Sequence, residues 1–376
     1  VGNVYLLGGL RTPFARRKGA LADTHPAELL GTLTKNALTS VGVAPEDVDQ
    51  VITGCVTKTG DQANSIGRTA WLTAGLPSEV PGTTVDARCG SSQQAAHYGA
   101  GLIASGAVDV VVANGVEHMT RHPLGQDVGE GMGDPLSPQY RDLYEVTSQG
   151  ESAERIADHW KQDRVRCDEL ALASQERARD AIASGRLAIE IDPVGAFATD
   201  SGPRESTMEG LGALRTVFRP DGVLTAGNSS QITDGASCVV LVSESFAAEH
   251  GLTPLAQVEH QTLVGVDPVW KLTGPMPATK KILERNGLRP SDIGTAEVNE
   301  AFASVLGAWL EEIGFPHERT NVNGGAIALG HPVGATGTRL LLTAAHELRR
   351  GGHERALVTM CCGGGLGTAT ILKAVA

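Results

Sequence analysis

Val43-Ala44-Pro45-Glu46-Asp47-Val48-Asp49-Gln50-Val51 returns 245 positions downstream as Leu288-Arg289-Pro290-Ser291-Asp292-Ile293-Gly294-Thr295-Ala296. Pro45 matches Pro290, Asp47 matches Asp292 and Val48 matches Ile293. Each copy follows a helix-like segment that ends in glycine, Gly42 in one case and Gly287 in the other. The register persists. Gly106 to Val112, ahead of Asn114-Gly115, matches Gly352 to Val358, ahead of Met360-Cys361, at an offset of 246. A drift of one position over about 60 residues marks a duplication, and one pair of copies is too few for a solenoid. Within each copy apolar runs alternate with amphipathic helical patterns. Val110 to Val112 are apolar at successive positions, which suits a strand buried on both faces. Each half therefore reads as an α/β layer unit.

The segment from about Met119 to Ser230 has no counterpart in the second half. It opens with Gly- and Pro-rich sequence, Gly125 to Pro138, the composition of a long functional loop. Helical patterns follow over Glu151 to Lys161 and Cys167 to Ser184. Cys238-Val239-Val240-Leu241-Val242 is strand-like and is expected to rejoin the first half. The expected partition is 1–118 plus 231–252 for the first half, 119–230 for an inserted loop domain, and 253–376 for the second half. The insertion is placed to cap a site that the two halves form.

Composition narrows the function. With 376 residues and 41% hydrophobic content the chain can bury more than one core. Aromatics are 4% and net charge is −12, so neither a base-stacking surface nor a phosphate-neutralising stripe is in view. The short run Arg16-Arg17-Lys18 reads as a solvated loop. A stretch of eighteen apolar residues is absent, so no membrane span is expected, and the opening Val4-Tyr5-Leu6-Leu7 reads as a strand without a secretory leader. The six cysteines form neither a disulfide framework nor a paired zinc motif, which suits a reducing, cytoplasmic setting.

Four blocks carry chemistry. Cys89 lies in Asp86-Ala87-Arg88-Cys89-Gly90-Ser91-Ser92, between a β-like run and a helix-like run. A thiol at a helix N-terminus is expected to gain thiolate character, whereas most free cysteines are small buried hydrophobes; this segment alone leaves the two readings even. His331 lies in Gly330-His331-Pro332, at a turn into a second helix that occupies the place of the Cys89 turn in the repeat. There it would serve as a positioned base. Cys361-Cys362-Gly363-Gly364-Gly365 ends a strand. A nucleotide cradle fails for this block, because nine residues beyond Gly367 cannot form a helix and a ribose-binding carboxylate. Backbone N–H groups aimed at a reacting carbonyl fit better. Asn299, in Glu297-Val298-Asn299-Glu300-Ala301-Phe302, stands at a strand-to-helix junction, where an ordinary helix cap is the competing reading.

Together and in this order, the blocks resemble the thiolase family over nearly the whole chain, from Arg11-Thr12-Pro13-Phe14 to the last strand. Cys89 matches its nucleophile segment, Asn299-Glu300-Ala301-Phe302 its NEAF motif, Gly330-His331-Pro332 its GHP motif and Cys361-Cys362-Gly363-Gly364-Gly365 its CxGGG motif. The resemblance implies a thiolase fold, in which two duplicated α/β halves form a five-layered αβαβα core with an inserted loop domain. It implies an acyltransferase that cleaves 3-ketoacyl-CoA with CoA, or runs the reverse condensation, through an acyl-cysteine. Cys89 would be the nucleophile and His331 its activating base. Cys361 would be the acid/base. Asn299, through a water, and His331 would stabilise the enolate oxygen, and the N–H groups of Cys89 and Gly363 would form the oxyanion hole. Ser230 matches the position near the pantetheine, and Arg204 is a candidate for the phosphates. The scheme needs no metal or organic redox cofactor, with CoA as substrate. Family members are homodimers or homotetramers.

The chain departs from the family pattern in places. Cys362 replaces an apolar residue. The histidine and methionine that short-chain members carry around Ser148-Gln149-Gly150 are absent. With Gly90-Ser91-Ser92-Gln93-Gln94, this points to bacterial lipid- and steroid-degrading members, and to a roomier acyl pocket bordered by Trp270 to Leu272. Three rivals stand beside this reading. They are a biosynthetic acetoacetyl-CoA thiolase, a catalytically silent acyl-CoA binding protein, and a decarboxylating ketoacyl synthase, which Cys361 disfavours because those enzymes use histidine there.

Overall fold

The computed structural model describes residues 2–128 and 131–375. Val1 of the opening strand and Gly129 and Glu130 of the Gly- and Pro-rich segment lie outside the described residues, as does Ala376. Ten strands form one sheet: β1 (Val4–Arg11), β2 (Ala15–Arg16), β3 (Gln50–Gly54), β4 (Gly82–Val85), β5 (Val110–His118), β6 (Thr233–Ser243), β7 (Ala256–Gly265), β8 (Thr295–Val298), β9 (Arg355–Cys362) and β10 (Leu366–Lys373). The order is β4-β3-β5-β6-β1-β7-β10-β9-β8, with β2 on β6. The duplication is visible in this order. From the centre outward, β1-β6-β5-β3 is mirrored by β7-β10-β9-β8, with parallel pairs β3–β5 and β8–β9 at corresponding places. The counterpart of β4 has shrunk to one parallel bridge, Ala296 to Thr320.

The apolar pattern of the strands sets the layers. Val110, Val112, Val240 and Val242 point into a core with the helix Pro26–Val41 and the helix Ile66–Thr73. Their neighbours Val111, Ala113, Val239 and Leu241 point the other way, onto the helices Ser91–Ala104 and Thr336–Arg350. Ala356, Val358 and Met360 of the second half meet that same helix pair. Leu357 and Ile371 face outward onto the helices Pro275–Arg285 and Ala303–Ile313. Alternation along each strand thus yields helix, one half of the sheet, helix pair, the other half of the sheet, helix: the single sheet, joined at β1–β7, supplies both sheet layers of a five-layered arrangement around three apolar cores.

The chain leaves the first half after β5 and returns at β6, as the strand-like run from Cys238 implied. In between, the helix Gln149–His159 and the helix Arg164–Ala183 start two or three residues ahead of the sequence expectation. Ser148 and Asp163 supply the reason: their side chains accept from Glu151 N (3.0 Å) and Arg166 N (2.8 Å) and fix the first turns. Both helices pack on Ala303–Ile313 through Ala153, Ile156, Leu170 and Ala171. The segment is also tied to the first half. The guanidinium of Arg11, fully buried, donates to Glu190 (2.6 Å) and to both oxygens of Asp200 (2.7 and 2.8 Å). Burial of that charge is tolerated because two carboxylates and the Thr12 carbonyl (3.3 Å) answer it.

The two central helices meet at their first turns. Thr338 N donates to Ser92 Oγ at 3.0 Å. A Cβ on Gly337 would lie 2.3 Å from Gln93 N, one on Gly54 2.3 Å from Ser92 N, and one on Gly115 2.1 Å from the Gly334 carbonyl oxygen. Each of these neighbours is backbone and cannot swing aside. Gly337→Ala is therefore expected to lower stability by about 1–3 kcal/mol through overpacking and to lower activity with it; a thermal melt within a degree of wild type would contradict this account of the crossing.

Candidate active site

The four motifs converge where the central helices begin. The Cys89 turn is shaped by Arg88, whose φ of 54° lies in the left-handed region. Ser91 Oγ accepts from Ala87 N (3.0 Å) and donates to Arg88 O (2.5 Å), which closes the loop ahead of the helix. Cys89 is buried two residues before that helix. His331 stands five residues before its own helix, after Gly330 at φ 101°. The repeat therefore equates the two turns, not the two residues. Gly363-Gly364-Gly365 forms the hairpin between β9 and β10, and φ values of 85° and 82° at Gly364 and Gly365 explain the glycines there.

Hydrogen bonds fix the histidine. His331 N donates to Gln231 O (3.1 Å). Thr336 Oγ1 donates to Pro332 O (2.9 Å), so its contact with His331 Nδ1 (2.6 Å) is an N–H of the ring donating to the hydroxyl. This assigns the proton to Nδ1 and leaves Nε2 unprotonated, as an acceptor. Asn299 Nδ2 donates to that Nε2 at 3.3 Å. The same amide faces the Cys361 sulfur, and Cys361 in turn lies within electrostatic reach of Cys89. Asn299 Oδ1 is buried without a protein partner among the described residues. Asn299 is not a helix cap: its N–H donates to Thr359 O (3.0 Å) on β9, and the next helix begins at Ala303 behind Phe302.

Burial sets the charge state. The Cys89 thiol is pushed up to about 11 by desolvation, against the stabilising N–H groups of Gly363 and of Cys89 itself. The sequence expectation of a lowered thiol is thus corrected: the helix start is present, but desolvation outweighs it. Desolvation likewise pushes Cys361 upward, with the nearby Cys89 adding to it, and holds His331 down at about 3, with Arg339 adding to that shift. The resting constellation is neutral: two thiols and an imidazole whose acceptor nitrogen carries no proton. Cys362 points to the other side of the strand, into the central core, where a Cβ on Gly90 would lie 2.6 Å from its sulfur.

Ser230 is brought to the site. Its N–H donates to Ala301 O (2.9 Å), it adjoins Gln231, which holds His331, and Phe218 packs edge-on against Phe302 at 5.6 Å beside it. Arg204 is exposed, two residues beyond Gly202, which packs on the Ala328 carbonyl. Two supporting residues escaped the sequence reading. Thr336 sets the histidine tautomer. Glu300 is buried and accepts from Ser174 Oγ (2.6 Å), Asn321 Nδ2 (2.8 Å) and Ile327 N (3.2 Å), so it clamps the insertion to the glycine segment before His331. The glutamate inside the NEAF motif was the available signal for the second.

Comparison with known proteins agrees with this geometry. The model of the thiolase N-terminal domain matches residues 4–245 and that of the C-terminal domain matches 252–374. A steroid 3-ketoacyl-CoA thiolase of Mycobacterium tuberculosis is 45% identical, covering 98% of this chain and 93% of the relative. A 3-oxoadipyl-CoA/3-oxo-5,6-dehydrosuberyl-CoA thiolase of Escherichia coli is 39% identical, covering 99% of each. The crystal structure of human mitochondrial 3-ketoacyl-CoA thiolase in complex with CoA superposes with a TM-score of 0.92 at 35% identity, covering 100% of this chain and 98% of that one. With both family models matched across nearly its whole length, the chain belongs to the thiolase family and is an acyltransferase of that family.

Proposed function

We propose that the chain cleaves 3-ketoacyl-CoA with CoA in a degradative pathway for fatty acyl or steroid-derived esters, with Cys89, His331, Cys361 and Asn299 as its catalytic residues. The observation that carries this reading is the Asn299 amide set between the unprotonated Nε2 of His331 and the Cys361 sulfur, with the Gly363 N–H facing Cys89. His331 Nε2 takes the Cys89 proton as sulfur attacks the 3-keto carbon. The oxyanion is received by the N–H groups of Cys89 and Gly363. The C2–C3 bond then breaks. Its electrons pass into an enolate of acetyl-CoA, held by His331 and by Asn299 through a water, and Cys361 delivers the proton. The thiol of CoA next gives its proton to the Cys361 thiolate and attacks the acyl-cysteine, and the Cys89 thiolate takes its proton back from His331 as acyl-CoA leaves, so the kinetics are ping-pong.

CoA would be bound as a substrate beside Ser230, with Arg204 toward its phosphates. The relatives named for steroid and 3-oxoadipyl esters favour the degradative direction over biosynthetic condensation. Among the described residues no helix is long and apolar enough to cross a membrane. Six buried, unpaired cysteines suit a cytoplasmic location. Exposed Leu124, Val128, Met132, Leu143 and Tyr144 in one segment suit burial against further subunits in a homodimer or homotetramer.

Three measurements check this reading. Wild type is expected to release acetyl-CoA from 3-ketoacyl-CoA esters when CoA is added, and Cys89→Ala to release none; activity retained by the variant would remove Cys89 from the mechanism. Thr336→Val, which takes away the partner of His331 Nδ1, is expected to lower kcat roughly tenfold, the worth of one buried hydrogen bond, without changing KM for CoA. Because the Cys89 thiol sits above its ordinary range, the rate of alkylation at Cys89 in the free protein should climb about tenfold per pH unit from pH 7 to near 10. A plateau below pH 8 would mean a resting thiolate.

A further inference from the structure

The hairpin glycine that faces Cys89 has an unusual wall. A Cβ on Gly363 would lie 2.9 Å from Gln149 Nε2 and 3.8 Å from Arg88 Cγ, so a carboxamide and the stem of a guanidinium flank the same face of this residue. A third donor approaches from the loop after β7. Val266 N donates to Gly365 O (2.8 Å), and a Cβ on Gly365 would meet Val266 O and Pro268, so that loop is fastened to the hairpin. Further along it, the half-buried Lys271 donates through Nζ to the carbonyl of Thr147, two residues from Gln149.

Arg88 is exposed at the rim of this wall, and Lys271 is half-buried. Among the described residues neither Arg88 nor Lys271 has a carboxylate within ion-pair distance. Neighbouring acids are already engaged: Asp86 with Lys58 (2.8 Å), Glu151 with Arg155 and Arg219 (2.9 and 2.7 Å), and Asp267 with Val269 N (2.7 Å). A half-buried ammonium whose one partner is a backbone carbonyl is poorly compensated. A methyl-ended acyl chain entering here would desolvate that charge further and return nothing. A carboxylate would answer both cations and the carboxamide.

We propose that the acyl end of this site takes 3-ketoacyl-CoA esters whose acyl chain carries a carboxylate, with Arg88 and Lys271 binding that group and Gln149 donating to it beside Gly363. The inference rests on the thiolase reading and adds the substrate class. It makes these three residues specificity determinants; none touches the reacting carbon.

The test compares kcat/KM for 3-oxoadipyl-CoA with that for 3-oxohexanoyl-CoA, two six-carbon chains that differ in a terminal carboxylate against a methyl group. Wild type is expected to favour the carboxylate ester at least tenfold. Arg88→Met, Lys271→Met and Gln149→Met are each expected to shrink that ratio severalfold, with Arg88→Lys retaining part of it. A second measurement needs no variant: succinyl-CoA should bind wild type at least tenfold more tightly than butyryl-CoA by calorimetry at low salt, and the difference should narrow as salt rises. Turnover of the methyl-ended ester with equal or lower rates on the carboxylate ester would overturn the inference and leave the thiolase reading intact, as would equal affinities of the two product esters. No acetyl-CoA release from any ester would overturn the thiolase reading itself.

Discussion

The structure depends on two helix starts being allowed to touch. Ser91–Ala104 and Thr336–Arg350 cross at their first turns, and the glycines at 54, 115 and 337 leave backbone against backbone where any side chain would intrude. Because each helix belongs to a different half, this contact turns a duplication into one site. The Cys89 turn leads into one helix and the His331 turn into the other. The β9–β10 hairpin, carrying Cys361 and Gly363, and the end of β8, carrying Asn299, are strands of the sheet that packs on the same pair. No single half holds the full set. Duplication with divergence is what lets one architecture supply a thiol from one copy and an imidazole, an amide and a second thiol from the other.

Burial that assembles the site also governs its chemistry. In water a cysteine at a helix start would lean toward thiolate, and a histidine would titrate near neutrality. Here desolvation dominates both, so the resting groups are uncharged and the unprotonated Nε2 of His331 is the source of reactivity. Charge develops when the substrate supplies an oxygen for the waiting N–H groups, which suits a reaction whose intermediates are oxyanions and an enolate. Charges elsewhere in the interior are answered differently. Arg11 is enclosed by Glu190 and Asp200, whereas the half-buried Lys271 beside the hairpin meets only a backbone carbonyl.

Much of this was legible in the residues. Pro45 against Pro290 and the shared run before Asn114 and Met360 carried the duplication, because buried strands and tight turns tolerate few substitutions and keep register. The catalytic motifs were legible as glycine-flanked reactive side chains, which is what close backbone approach demands. The direction of the Cys89 shift was not, since sequence shows the helix start but not how much water is removed. Thr336 was missed because a threonine at a helix start looks like any other; its meaning lies in a single contact with a ring nitrogen. The helix boundaries slipped at Ser148 and Asp163, where a capping side chain moved the start ahead of the apolar pattern. The shrunken β4 counterpart at Thr320 was illegible for a related reason: one bridge leaves no periodicity.

The place of β1 has a consequence for how the molecule is made. It lies at the centre of the sheet, between β6 and β7, and pairs with Ser237–Ser243 on one side and with Ala256 and Gln257 on the other. On a ribosome, β1 emerges ahead of both neighbours and must wait through the whole insertion before either exists. Until then Leu6 and Leu7 belong to an apolar segment with open backbone groups on both edges, the kind of nascent sequence that holdase chaperones engage. Synthesis through the insertion then sets how long that segment stays unpaired.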